Sequence, residues 1–194
     1  GLSLTFKIRP EAKWQNKAPV NGRAVTAEDV KLSFERIKDP AIVSPRAGQF
    51  GAIDSITVID AQTVQFKMKV PQADLLAVMS DQYNFILPKE TIAKGKDAIT
   101  TAADVIGSGP YRFLPDEYVS GARVGYAKFE DYIPRSEKPE WATGAKIAYF
   151  PRVEWNVIPD PGTAAAAIQR GEADWWERPF NDLIPTMLRD PGVT

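Results

Sequence analysis

Ile106-Gly107-Ser108-Gly109-Pro110-Tyr111 is the stretch on which the reading of this chain turns. Two glycines and a proline within four residues bend the backbone, and a short strand is expected near Tyr111–Leu114, so the segment reads as a bend at the start of a strand. A phosphate-cradling loop is a poor fit, because the third glycine of a dinucleotide fingerprint and the lysine of a P-loop are both missing. The polar stretch Lys94–Asp104 lies just upstream. A domain boundary or hinge crossing is therefore placed at this point, dividing residues 1–105 from 106–194.

Upstream, Leu4, Phe6 and Ile8 alternate with Thr5, Lys7 and Arg9, the period-two pattern of a half-buried strand. Thr26-Ala27-Glu28-Asp29-Val30 has the form of a helix start, with Thr26 as cap and Asp29 at the capping-box position. Ala27, Val30, Phe34 and Ile37 then share one face at helical spacing, and Asp39-Pro40 ends the helix. Trp14 and Phe34 read as core. Ile53–Ile59 and Val64–Val70 are two β-branched runs joined by Asp60-Ala61-Gln62-Thr63, a hairpin pattern. Short helices are expected through Leu75–Met79 after Pro71, and after Pro88 until Gly95.

Downstream, strands are expected near Tyr111–Leu114, Ala122–Ala127 and Lys146–Phe150. Asp160-Pro161-Gly162-Thr163 leads into Ala164–Arg170, helical by propensity, and Gly171 supplies a left-handed C-cap. Ala173–Trp176 reads as a further strand and Leu183–Leu188 as a last helix. The class is mixed α/β.

Composition excludes several kinds of chemistry. The 194 residues carry a net charge of -1, with no basic excess to hold nucleic acid or anionic lipid. No apolar run is long enough to span a membrane. There is no histidine and no cysteine, which removes the usual neutral-pH proton carrier, thiol catalysis, thiolate metal sites and disulfides. No cofactor and no metal are expected. The chain starts at Gly1 without a visible signal peptide and stops in turn chemistry at Asp190-Pro191-Gly192, so it reads as a fragment of a longer protein.

Five segments, in order, resemble the family 5 extracellular solute-binding proteins, the dipeptide- and oligopeptide-binding group of ABC transporters. They are Leu4–Trp14, Thr26–Val30, Asp60–Met68, Ile106–Tyr111 with the later Phe129-Glu130-Asp131-Tyr132, and Ala167–Asp174. Ser108 stands where threonine is usual, Ile133 where tryptophan is typical, and Gln15-Asn16 where many relatives carry His-Asp. The resemblance implies a periplasmic-binding-protein type II-like fold, present in part. Residues 1–105 would form the family's extra subdomain. Residues 106–194 would form part of the first lobe, ending near the crossing to a second lobe outside the chain. It also implies a bacterial periplasmic, secreted or membrane-anchored monomer that passes a peptide or small-molecule ligand to permease subunits without catalysis.

On that resemblance the ligand-facing candidates are Trp175, Trp176, Glu177 and Arg178, together with Tyr83 and Asn84. Trp176 would cover an apolar part of the ligand, Arg178 would pair with a carboxylate and Glu177 with an amine. Tyr83 and Asn84 suit recognition of a peptide backbone. Each has a structural alternative: core tryptophans beside a solvated ion pair, and a loop tyrosine packed on Phe85. Gly107, Gly109, Pro110 and Gly171 are expected to shape the backbone. Two further readings stay open. One is a glycan hydrolase using Asp174 and Glu177, which the alternation of a strand would point to opposite faces, Asp174 with Trp176 and Glu177 with Trp175. The other is a ligand sensor or interaction domain on the same fold.

Overall fold

Thr26 starts the first helix, α1 (Ala27–Lys38), with an extended backbone and a reciprocal capping box with Asp29. Glu28 and Asp29 occupy its first turn and Arg36 and Lys38 its last, so the charges oppose the helix dipole. The apolar face is the one the spacing predicts: Ala27 and Phe34 are buried, and Val30 and Ile37 pack against the same core. This computed structural model describes residues 2–141 and 143–194.

That core rests on a three-stranded antiparallel sheet in the order β1-β3-β2. Its strands are β1 (Ser3–Lys7), β2 (Ile53–Asp60) and β3 (Thr63–Met68). The Asp60–Thr63 hairpin turn joins β2 to β3 as expected, with Asp60 accepting from the Gln62 N–H at 2.8 Å. On the central strand, Phe66 lies opposite both Leu4 and Ile56. The Phe66 ring meets Phe6 and Phe34 edge-to-face at 5.5 and 5.2 Å, and Phe34 meets Phe50 at 5.2 Å. A smaller cluster of Trp14, Val20 and Ile106 carries the chain toward the glycine-proline segment.

Two short helices follow, α2 (Leu75–Met79) and α3 (Lys89–Ile92), the latter capped by Pro88. A second sheet has the order β4-β5-β6, built from β4 (Tyr111–Phe113), β5 (Arg123–Lys128) and β6 (Arg152–Asn156). The strand expected at Lys146–Phe150 is absent, and β6 begins just beyond it. Pro151 has no N–H to give a ladder but lends its carbonyl to the Lys128 N–H at 2.8 Å, so pairing starts at the proline. The pairing partner, not local propensity, decides where this strand lies.

Contacts divide the described chain into two units. One holds the residues up to Pro115 with Tyr126–Val153; the other holds Asp116–Gly125 with Glu154–Thr194. The second unit contains α4 (Pro161–Gln169) and α5 (Ile184–Met187). Asp160 caps α4 by accepting from the Thr163 N–H at 2.7 Å, with Pro161 in the first turn. At the other end Gly171 takes φ 68°, and two bonds close the helix, Gly171 N–H to Ile168 at 3.0 Å and Glu172 N–H to Ala167 at 2.9 Å. This is a Schellman cap, as expected.

By contrast, neither Gly107 nor Gly109 is left-handed. The bend expected from these two glycines is therefore made without left-handed backbone at either. Gly109 has open space where a Cβ would sit, whereas a Cβ on Gly107 would come 3.3 Å from the Gln15 amide nitrogen. A paired test follows: Gly171→Ala should cost about 1–2 kcal/mol in urea unfolding, the left-handed cost of a Cβ, and Gly109→Ala almost nothing.

Candidate functional site

Tyr83 and Asn84 follow α2, and adjacent positions in a turn send their side chains to different surroundings. Tyr83 is exposed, with the Arg46 guanidinium 4.8 Å from its ring centre. Arg46 also pairs with Asp81 at 3.1 Å, and Asp81 accepts from the Tyr83 N–H at 3.0 Å. The tyrosine is thus held by a cation and a carboxylate. Phe85, the alternative packing partner, is itself 68% exposed. Asn84 is buried, its Nδ2 donating to the Val78 carbonyl at 2.6 Å at the end of α2. Its Oδ1 is buried with no hydrogen-bond partner among the described residues.

The other candidate group lies in the second unit. The strand expected at Ala173–Trp176 is absent: no strand pairs with this segment among the described residues, and the chain runs irregularly out of the Gly171 cap. The alternation that would have sent Asp174 and Glu177 to opposite faces is lost with it. Both carboxylates are exposed, as is Arg178. Trp175 is 71% exposed and packs on Trp155 of β6, ring centres 6.0 Å apart and tilted by 56°. Trp176 is half-buried. The tryptophans therefore divide, with Trp175 presenting a surface aromatic face and Trp176 partly packed.

A groove of 510 Å³ in the first unit runs between the Asn16–Gly22 loop and the Phe129–Ile133 turn. Trp14, Lys13, Glu130 and Asp131 are among its lining residues. None of the residues expected to meet ligand line it.

Two buried polar side chains carry more structure than sequence reasoning assigned to them. Asp29 is fully buried and accepts from Arg23 at 2.7 and 2.8 Å, from the Thr26 and Lys89 N–H groups at 2.8 and 2.9 Å, and from Trp14 Nε1 at 3.3 Å. Arg23 reaches on to Glu90 at 2.5 and 2.7 Å. Burial alone pushes the Asp29 carboxyl up, but the bonds from Arg23, Thr26, Lys89 and Trp14 together hold it below the usual range. The Arg23 hydrogen bond likewise depresses Glu90. Gln15 is the second such residue, pinned against the Gly107–Tyr111 segment. The capping-box spacing flagged Asp29, but nothing local flagged Arg23 or Gln15. Among the described residues, no group of three or more acidic side chains is placed to hold a metal ion.

Comparison with known proteins adds an independent line. The family model described as bacterial extracellular solute-binding proteins, family 5 Middle, matches residues 1–194. A protein of Sinorhizobium fredii described as a "Probable peptide ABC transporter periplasmic-binding protein" is 32% identical across 98% of this chain and 35% of its own length. The dipeptide-binding protein of Escherichia coli K12 is 26% identical over 100% of this chain and 36% of its own. Among solved structures, the ABC transporter-associated periplasmic binding protein DppA of Helicobacter pylori, in complex with the peptide STSA, superposes with a TM-score of 0.79. It is 26% identical, over 98% of this chain and 38% of that one. The chain spans little more than a third of the length of these relatives.

Proposed function

This chain belongs to the bacterial extracellular solute-binding proteins of family 5, and on that premise we propose that it is part of the substrate-binding component of an ABC importer. The observation that carries this reading is the family match over the whole of residues 1–194. The protein captures a peptide-like solute in the periplasm or at the outer surface and hands it to a membrane permease, without catalysing a reaction. Residues 1–105 form the extra subdomain and 106–194 part of the first lobe. The second lobe closes over ligand.

In this reading Trp175 and Trp176 cover an apolar portion of the ligand, Arg178 meets a carboxylate and Glu177 an amine. The exposure of Trp175 and Arg178 supports this, since Trp175 stays mostly in solvent beside Trp155 and Arg178 is exposed as well. The exposed Tyr83 hydroxyl supplies a polar contact to a peptide backbone, and Asn84, whose Oδ1 is buried without a partner among the described residues, reaches ligand only if the turn after α2 rearranges.

Ligand stabilises a closed form only through contacts that both walls make, so one wall alone should bind weakly. Titration calorimetry with a pool of di- to pentapeptides tests this. The full-length protein should bind, the 194-residue chain should not, and Arg178→Ala in the full-length protein should weaken binding by about ten- to a hundred-fold, the weight of a charge-assisted hydrogen bond. Tight peptide binding by the chain alone, or none by the full-length protein, would overturn the proposal.

A further inference from the structure

Gln15 has no apolar reason to be buried, yet it is only 7% exposed. Its backbone N–H donates to the Gly107 carbonyl at 2.9 Å. Its side-chain Nε2 donates to the Tyr111 carbonyl at 2.7 Å and reaches the Gly109 carbonyl at 3.5 Å, while its Oε1 accepts from the Gly107 N–H at 3.4 Å. Two carbonyls need a donor and one N–H needs an acceptor, so a neutral amide matches this set. A carboxylate cannot donate and an aliphatic side chain can do neither. Lys17 adds a bond to the Val105 carbonyl at 3.2 Å. Residues almost a hundred positions apart are thus joined by side chains reading backbone.

The neighbouring apolar contact works differently. Trp14 packs with Val20 and Ile106 and holds the segment down, but non-directional burial does not choose its heading. Hydrogen bonds do. Tyr111 is the first residue of β4 and pairs with Lys128 of β5, and its hydroxyl donates to the Phe150 carbonyl at 3.0 Å. Turning the Tyr111 carbonyl therefore turns the entry into the second sheet. Gly107 fits the same account, because its missing Cβ is what lets the amide approach so closely.

We propose that Gln15 is a positioning residue, a latch whose amide reads the Gly107, Gly109 and Tyr111 backbone and sets the direction in which the chain enters β4. This goes beyond the transport reading and does not depend on it.

Amide hydrogen exchange on the 194-residue chain, referenced to the unaltered chain at each pH, tests the latch. Gln15→Leu should lose about ten-fold protection at Gly107 and Tyr111–Phe113, the weight of buried groups left unpaired, while Val64–Met68 stay unchanged. Gln15→Glu should show the same loss at neutral pH, when a carboxylate faces two carbonyl oxygens. That setting raises the introduced group's pKa, so its protonated form favours the native state. The loss should shrink as pH falls, because the protonated acid donates to Tyr111 and still accepts from Gly107; the leucine variant should show no such recovery. Gly107→Ala, a milder change, should give a smaller loss at the same amides. Equal loss at Val64–Met68, no loss in either Gln15 variant, or the same pH response in both would overturn the proposal.

Discussion

Asp29→Ala is expected to cost the folded chain about 3–5 kcal/mol, the range for breaking a buried pair by removing one partner. The lost carboxylate leaves the Thr26 N–H, the Lys89 N–H and Trp14 Nε1 without their acceptor, around a position that is itself fully buried. Each such donor costs about 1–3 kcal/mol unmet, so three of them account for the total even though Glu90 still holds Arg23. Asp29→Asn separates charge from packing: it keeps the volume, but its amide must turn donors toward the Arg23 and Lys89 donors, and a similar loss is expected. A large total matters because domains have only about 5–15 kcal/mol to lose.

The same carboxylate sets a pH dependence whose sign follows from its depressed native pKa. The unfolded chain takes up the proton first, so the contribution is fully present above the ordinary value of 3.8 and is lost as pH falls through the native one. Glu90, also depressed, acts in the same direction from its ordinary 4.5. Thermal melts at pH 7 and at descending pH below about 4.5 check both points. The melting temperature should fall steadily with acid in the parent chain and less steeply in Asp29→Asn. A change below about 1 kcal/mol at pH 7, the scale of an exposed pair, would mean that Asp29 is not the hub of this network.

What could be read ahead of the structure was what depends on neighbours in sequence. Thr26 and Asp29 are three residues apart, so the capping box was legible, as were the Asp60–Thr63 turn, the Phe34 face and the Gly171 cap. Arg23, Trp14 and Lys89 meet at Asp29 from separate parts of the chain, and no local pattern announces such a convergence. Gln15 is the same case, its partners more than ninety residues away. Strand positions failed where pairing decides them: Lys146–Phe150 has the propensity, but the ladder forms one proline later. Ala173–Trp176 likewise has strand-forming residues without a partner among the described residues, so the facing argument for Asp174 and Glu177 went with it. The ligand candidates were legible only as a resemblance, and their separation into exposed Trp175 and Tyr83 and buried Asn84 comes from packing.

Phe66→Ala carries the other large expected loss, again about 3–5 kcal/mol for a fully buried aromatic truncated to a methyl. The position is unusually constrained. Phe66 sits on the central strand, opposite Leu4 on one side and Ile56 on the other, so neither neighbour can close the gap without breaking its own ladder. The sheet edge and α1 both lean on this ring through Phe6 and Phe34. Phe66→Leu restores most of the buried area but not the two edge-to-face contacts, each worth about 0.5–1.5 kcal/mol, so it should lose about 1–3 kcal/mol. Phe85→Ala, at a ring left mostly in water, should change stability by less than about 0.5 kcal/mol. Urea unfolding followed by exchange at the β1–β3 amides orders the three variants. If alanine and leucine at position 66 lose equal stability, cavity formation is not the cost, and the edge-to-face contacts rather than burial hold α1 to its sheet.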